Sequence, residues 1–314
     1  MAKLSSALEL GASMYVPAIH NELWAISQGV KYPQLKSLIV CLEDSIHEHD
    51  IPTAMINLKN LLKRRLEEPK LHTPTLFIRP RNVEMAKHIV DWQLNTLYDG
   101  MILPKFHVKN LKEWQENLPS NLHLMPTLET EEIFDMGHIT ELKHALKYDF
   151  HKVLCLRIGG NDLLSCLQLR RPKHVTIYQT PLGALITQLV GHFVPMGFQL
   201  SSPVCENIAN TALLQEELKH DLLHGLLTKT AIHPCQIDII HHAYKVELMD
   251  YQDATQILSN DAKAVFKSNG AMLEPTTHRN WAESIVRRAE IYGFIPQLED
   301  DILHLPQRGN HFSA

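Results

Sequence analysis

Acidic and basic residues recur just after successive short apolar runs of the chain: Glu43-Asp44, Arg79, Pro104-Lys105, Glu129, Asn161-Asp162, Glu206 and His233-Pro234. Glu129 and Asp162 are hard oxygen donors of the kind that suit Mg²⁺, which takes one or two protein carboxylates and leaves its other positions to water and substrate oxygens. Glu43 and Asp44 can hold metal-bound waters behind them. Arg79 offers a planar fork to a substrate carboxylate and keeps its charge when buried, and Lys105 can contact an anion. Each residue also has a structural reading. Glu129 can cap a helix beginning near Thr130, Asp162 the turn after Gly159-Gly160, and Glu206 can be a first-turn acid of the helix ending at Leu223. Lys105 can be a rim residue held by Pro104, and His233 a buried histidine capping a loop. The joint pattern, charge after run upon run, favours a metal-dependent site for a small carboxylate.

The elements that must position these groups alternate. Strand-like runs fall at Ser13–Val16, Ser37–Leu42, Thr75–Arg79, Met101–Leu103, Leu122–Thr127, Val153–Ile158, Gly197–Leu200 and Leu226–Thr230, most followed by helical spacing. Met55, Leu58, Leu62 and Leu66 share one helical face, and so do Ile139, Leu142 and Leu146. Leu214, Leu218 and Leu222 run toward Gly225 as a C-terminal cap, and Thr180-Pro181 reads as an N-cap followed by proline. Eight such units predict an α/β fold, a (β/α)8 TIM barrel with the site at the C-terminal strand ends. A doubly wound open sheet is the rival, but its nucleotide-binding forms need a glycine-rich phosphate turn that is missing. Residues 1–249 are expected to form the catalytic barrel and 250–314 a helical extension, with helices over Asp250–Ser268 and Thr276–Tyr292 acting as a lid or oligomer arm. The stripe Ile285, Val286, Ala289 and Tyr292 needs a partner, either the chain's own barrel or a neighbour's.

Composition narrows the chemistry further. With 45% hydrophobic and 21% charged residues in 314, the chain can bury a large core. Thirty basic against 35 acidic residues, with no basic run longer than Lys63-Arg64-Arg65, argue against nucleic acid or an anionic membrane as partner. The longest stretch free of charged residues, His174–Cys205, is broken by Pro181, Gly183, Gly191 and Pro195 and reads poorly as a membrane span. The 5 cysteines include no C-x-x-C pair, and the 20 histidines form no H-E-x-x-H spacing. The start of the chain lacks a signal-peptide core, so a reducing cytoplasm is expected.

Met14-Tyr15-Val16-Pro17, Cys41-Leu42-Glu43-Asp44-Ser45, Ile78-Arg79, Gly100-Met101-Ile102-Leu103-Pro104-Lys105, Leu128-Glu129-Thr130, Gly160-Asn161-Asp162-Leu163 and Ala231-Ile232-His233-Pro234-Cys235-Gln236 stand in a characteristic order and spacing. In these the chain resembles the citrate lyase β-subunit-like branch of the HpcH/HpaI aldolase superfamily, over about residues 12–290. Met272-Leu273-Glu274-Pro275 resembles that branch's late Met-x-Asp-x-Pro segment. The resemblance implies a TIM barrel that uses Mg²⁺ to cleave or form a carbon–carbon bond beside a carboxylate, commonly in malyl-, citramalyl- or citryl-thioesters. Glu129 and Asp162 match the metal ligands that also meet substrate, Arg79 the substrate arginine, and Glu43 and Asp44 the acidic pair behind the metal. Glu274 then matches the general acid/base on a segment reaching over a barrel, sometimes a neighbouring subunit's, in a homotrimer; its structural reading is a helix N-terminal acid before Pro275.

The departures carry information too. Gly11 and the Lys-free stretch Ala18–Gly29 stand where thioester-cleaving relatives place basic residues for coenzyme A, so coenzyme A is expected to bind poorly. Cys41 stands where an Asp is usual. Asp44 replaces the His of the aldolase branch proper, which weakens a pyruvate-aldolase mechanism. The expected activity is Mg²⁺-dependent cleavage or formation of a 3-hydroxy-acyl compound, giving a 2-oxo acid and an enolate-derived acyl product. The alternatives are an aldolase for free 2-oxo acids and aldehydes, or a non-catalytic metal- and oxo-acid-binding assembly protein.

Overall fold

Ser37–Cys41 is buried at every position, as a parallel strand covered on both faces must be. The computed structural model describes residues 4–70, 73–148, 150 and 152–296, and extends this rule around a barrel. Strands β1 (Ala12–Pro17), β2 (Ser37–Cys41), β3 (Thr75–Arg79), β4 (Gly100–Leu103), β5 (His123–Leu128), β6 (Leu156–Ile158), β7 (Leu200–Ser201) and β8 (Lys229–Ala231) form one sheet. Its spatial order is β7-β6-β5-β4-β3-β2-β1-β8, all neighbours parallel. A parallel bridge between Ser202 and Lys229 brings the two ends of the sheet together, which closes the expected (β/α)8 barrel.

The helices of this unit are α1 (Leu23–Ser27), α2 (Ile51–Glu67), α3 (Val83–Val90), α4 (Val108–Asn117), α5 (Met136–Tyr148), α6 (Gly160–Cys166), α7 (Pro181–Phe193), α8 (Thr211–Leu223) and α9 (Cys235–Ala243). Thr180 caps α7 by accepting from the Leu182 N–H, with Pro181 in the first turn. Beyond α8, Gly225 takes the left-handed φ of 71° and ends the helix. The inward face of α2 is Ala54, Leu58, Leu61, Leu62 and Arg65, so Leu66 falls on the solvent side, 61% exposed, and not in the stripe expected for it. Strand β7 begins later than expected because Gly197, at φ 92°, still belongs to the turn ending a short 3₁₀ segment. Among the described residues no helix is long and apolar enough to cross a membrane.

Inside the barrel the period-two rule of strands sorts the side chains into layers. Ile39, Phe77, Ile102, Met125 and Cys155 meet in an apolar cluster that Leu4, Ala7 and Leu10 of the N-terminal segment plug from below. Two residues further along each of these chain segments lie Cys41, Arg79, Pro104, Thr127 and Arg157. The layer above the apolar plug is therefore markedly polar.

Contacts divide the chain into two compact units, one up to Tyr244 and one from Lys245. The second contains α10 (Leu248–Leu258), the hairpin β9 (Phe266–Ser268) and β10 (Ala271–Leu273), and α11 (Pro275–Tyr292). The helix expected over Asp250–Ser268 thus stops at Leu258. Asn269-Gly270, both at positive φ (48° and 82°), instead make the two-residue turn that hairpins favour. The stripe Ile285, Ala289 and Tyr292 is buried within this unit, Ile285 and Ala289 packing with Val246, Ala254, Ile257 and Leu273 in one cluster. Its partner is α10 and the hairpin, which removes the stripe as an argument for an oligomer.

Candidate active site

The polar upper layer of the barrel opens into a cavity of about 350 Å³ at the C-terminal strand ends, lined among others by Tyr15, Arg79, Thr127, Glu129, Arg157 and Asp162. Arg79, the last residue of β3, is paired in register with Cys41 of β2, so its guanidinium faces the acids that follow β2 and β5. Its Nη2 lies 2.6 Å from Glu43 Oε2, 3.4 Å from Asp44 Oδ2, and donates to Glu129 Oε1 and Oε2 at 3.1 and 3.3 Å. Lys105 follows β4 in the left-handed region (φ 49°), where its backbone N–H donates to Glu129 Oε1 at 2.8 Å. The Lys105 ammonium donates to Asp162 Oδ1 at 2.5 Å and stands 3.9 Å from Glu43. Gly159 is required by the same packing: a Cβ there would lie 2.4 Å from Glu129 Cβ and 2.7 Å from its Oε2. Glu43, Asp44, Arg79, Lys105, Glu129 and Asp162 therefore converge on one network.

A family model described as carbon–carbon bond lyases of the TIM-barrel fold matches residues 4–294. The chain belongs to this family. No curated protein sequence matches the lyase. Among solved structures it is similar to CitE of Mycobacterium tuberculosis in complex with magnesium, acetoacetate and coenzyme A, with 20% identity over 89% of this chain and 98% of that one and a TM-score of 0.65. It is also similar to RipC of Yersinia pestis (17% identity, 77% and 97% covered, TM-score 0.57). A third is the citrate lyase β subunit of M. tuberculosis complexed with oxaloacetate and magnesium (18% identity, 76% and 98% covered, TM-score 0.55). At these identities the likeness is one of fold. The family makes the chain a carbon–carbon lyase.

The electrostatics of the lyase's network are set by burial. Desolvation pushes the Glu43 carboxyl up to about 8, with its hydrogen bond to Asp44 adding to the shift and Arg79 opposing it. Burial likewise raises Glu129 against the pull of Arg79 and of the Lys105 N–H. For Lys105 burial acts downward, and the Asp162 hydrogen bond together with Glu129 overcomes it and raises the pKa. Although Arg79 lies 2.6 Å from Glu43 Oε2, that oxygen accepts no well-aligned hydrogen bond, and Arg79 Nε donates none. The Arg79–Glu43 contact is therefore coulombic, with hydrogen-bonding capacity to spare.

The donor set fits a divalent cation. Four carboxylates (Glu43, Asp44, Glu129, Asp162) face two cations (Arg79, Lys105), leaving two negative charges uncompensated when all ionise. Among the described residues no three His, Cys, Asp or Glu side chains form a metal cage. A cation here would rest on two carboxylates with water and substrate oxygens, which is the habit of Mg²⁺.

Other expectations fall elsewhere. Glu206 is not in the first turn of α8, which Asn210 caps; it pairs with Arg171 at 3.0 Å. His233 is exposed, not buried, and its Nδ1 accepts from the Cys235 N–H. Glu274 belongs to the second unit, where it precedes α11 and accepts from the Thr277 hydroxyl at 3.2 Å. Arg157, Thr127 and Thr230 also line the cavity and are not among the expected site residues, because they stand within or at the end of strand-like runs and not in the loops that follow. A charged residue inside the otherwise apolar run Val153–Ile158 was the available signal.

Proposed function

We propose that the lyase is Mg²⁺-dependent and cleaves or forms a 3-hydroxy-acyl compound that carries a carboxylate on the hydroxyl-bearing carbon. The observation that carries this reading is the meeting of Glu129, Asp162, Arg79 and the Glu43–Asp44 pair around one cavity of a carbon–carbon lyase barrel. Glu129 and Asp162 would hold the cation, which when bound polarises the substrate's carboxylate and hydroxyl oxygens. Arg79 orients the carboxylate and stabilises negative charge in the transition state. The Glu43–Asp44 pair, the carboxylates of the network that are not assigned to the cation, takes the hydroxyl proton. The carbon–carbon bond then breaks, the hydroxyl carbon becomes the carbonyl of a 2-oxo acid, and the bond's electron pair passes to an enolate. A proton delivered to the enolate carbon completes the acyl product, and Glu274 is the candidate donor.

Magnesium with oxaloacetate, and magnesium with acetoacetate and coenzyme A, in the two M. tuberculosis neighbours support the cation and the substrate class. The absence of basic residues at position 11 and through Ala18–Gly29 supports weak binding of coenzyme A. The test is proton exchange at C3 of pyruvate in ²H₂O with Mg²⁺. Wild type should exchange, whereas Glu129→Ala and Asp162→Ala should lose both exchange and the stabilisation by Mg²⁺, about 2.7 kcal/mol at a hundred times Kd. Unchanged Mg²⁺ affinity in both variants would remove the cation site. Binding without exchange in wild type would mark an inert binder, and exchange with no turnover of any thioester would favour the free oxo-acid aldolase.

A further inference from the structure

Two arginines reach the cavity, and their surroundings differ. Arg79 has three carboxylates within 3.4 Å. Arg157, 1% exposed at the centre of β6, has none within 4.0 Å among the described residues. Its Nη2 donates to the Thr230 hydroxyl at 2.6 Å, its Nη1 reaches only the Met125 thioether at 3.8 Å, and its guanidinium lies 5.5 Å from the centre of the Tyr15 ring. A thioether is a weak acceptor and an aromatic face is no counter-ion. Burying a charge without compensation is costly, so a natural protein keeps one where a ligand supplies the opposite charge. A second observation points the same way: Thr127, the register partner of Arg157 on β5, lines the same cavity with its buried Oγ1 unpaired.

We infer that Arg157, with the hydroxyls of Thr127 and Thr230, forms an oxyanion subsite on the cavity floor that receives a second anionic group of the substrate. This rests on the proposed reading of the acidic rim as the place of the cation and the 2-oxo acid. It adds that the cavity is bipolar, with a cation-seeking rim and an anion-seeking floor. The ligand that satisfies both is a 2-oxo acid, or its hydroxy-acyl precursor, bearing a further carboxylate or phosphate. The planar fork of arginine suits either oxyanion.

Calorimetric titration of the whole lyase with Mg²⁺ and pyruvate, 2-oxoglutarate or 3-phosphonopyruvate decides the matter. At least one of the two ligands with a second anionic group should bind ten-fold or more tighter than pyruvate, and which one does so separates a carboxylate from a phosphonate standing in for phosphate. Arg157→Met should cut that preference below two-fold. Thr127→Val should reduce it about three- to ten-fold without loss of thermal stability, since it removes an unpaired buried hydroxyl. Should Arg157→Met not fold, Arg157→Lys, which keeps the charge but loses the fork, replaces it and should lose most of the preference. Pyruvate binding as tightly as both of the other ligands, or a preference untouched in the Arg157 and Thr127 variants, would overturn the subsite and leave the rim reading standing. No binding of any of the three would bring down the rim reading and the subsite together.

Discussion

Two buried clusters of charge lie in the same barrel unit and are built on opposite terms. Between β8 and α8, Lys229 Nζ donates to Glu217 at 3.0 Å and Asp221 at 2.9 Å, all three at 0% exposure. Arg171 donates to the second oxygen of Glu217 at 2.5 Å, Tyr178 to Asp221 at 2.5 Å, and the Ile177 N–H to Glu217 at 2.9 Å. Three carboxylates, counting the partly exposed Glu206 on Arg171, meet two cations, and of these charged groups only Arg171 Nε is left without a hydrogen bond. The cavity network has four carboxylates for Arg79 and Lys105, an unmatched arginine below them, and spare capacity at Glu43 Oε2, Arg79 Nε and Thr127 Oγ1. A buried network that closes on itself fixes the barrel seam. One that does not close, and borders a cavity, is kept for a ligand.

Disrupting the closed cluster should give the largest effect on folding. Lys229→Met leaves the buried Asp221 without a cation and Glu217 to Arg171 alone, and should cost about 3–5 kcal/mol in urea unfolding. A loss under 1 kcal/mol would mean that the cluster is not the seam's clasp. Within the cavity the effect should move from stability to binding. Arg79→Lys keeps a charge for Glu43 and Glu129 but loses the fork, so oxalate affinity with Mg²⁺ should fall by about 1–3 kcal/mol. Equal affinity by calorimetry would place Arg79 outside the substrate site.

The smallest effect is on pH dependence. Glu43 is raised from 4.5 to about 8 in the fold, so the folded protein binds a proton that the unfolded chain has released over that range. This contribution is complete below pH 4.5 and is lost as pH rises through about 8. Metal-free wild type should therefore lose stability gradually as pH rises between those limits, by less than either substitution above, and Glu43→Gln should flatten the slope. A wild-type curve already flat over that range would show that the pair does not hold its proton.

The sequence by itself determined the barrel, because parallel strands buried on both faces must be apolar runs separated by helices, and that pattern is local. It also determined the rim: Arg79 ends a strand, Glu43, Asp44, Lys105, Glu129 and Asp162 each follow one, and in a closed barrel the strand ends form one ring. What only the tertiary structure decided were pairings between residues far apart in the chain, such as Arg171 with Glu217 and Arg157 with Thr230. Whether Lys229 and Arg157, both within strands, point outward to α8 or inward to the cavity depends on register and closure, and a one-residue shift would exchange the two faces. The burial that lifts the Glu43 carboxyl and leaves Arg157 without a counter-charge belongs likewise to the assembled barrel, since water is excluded only once all eight strands have met.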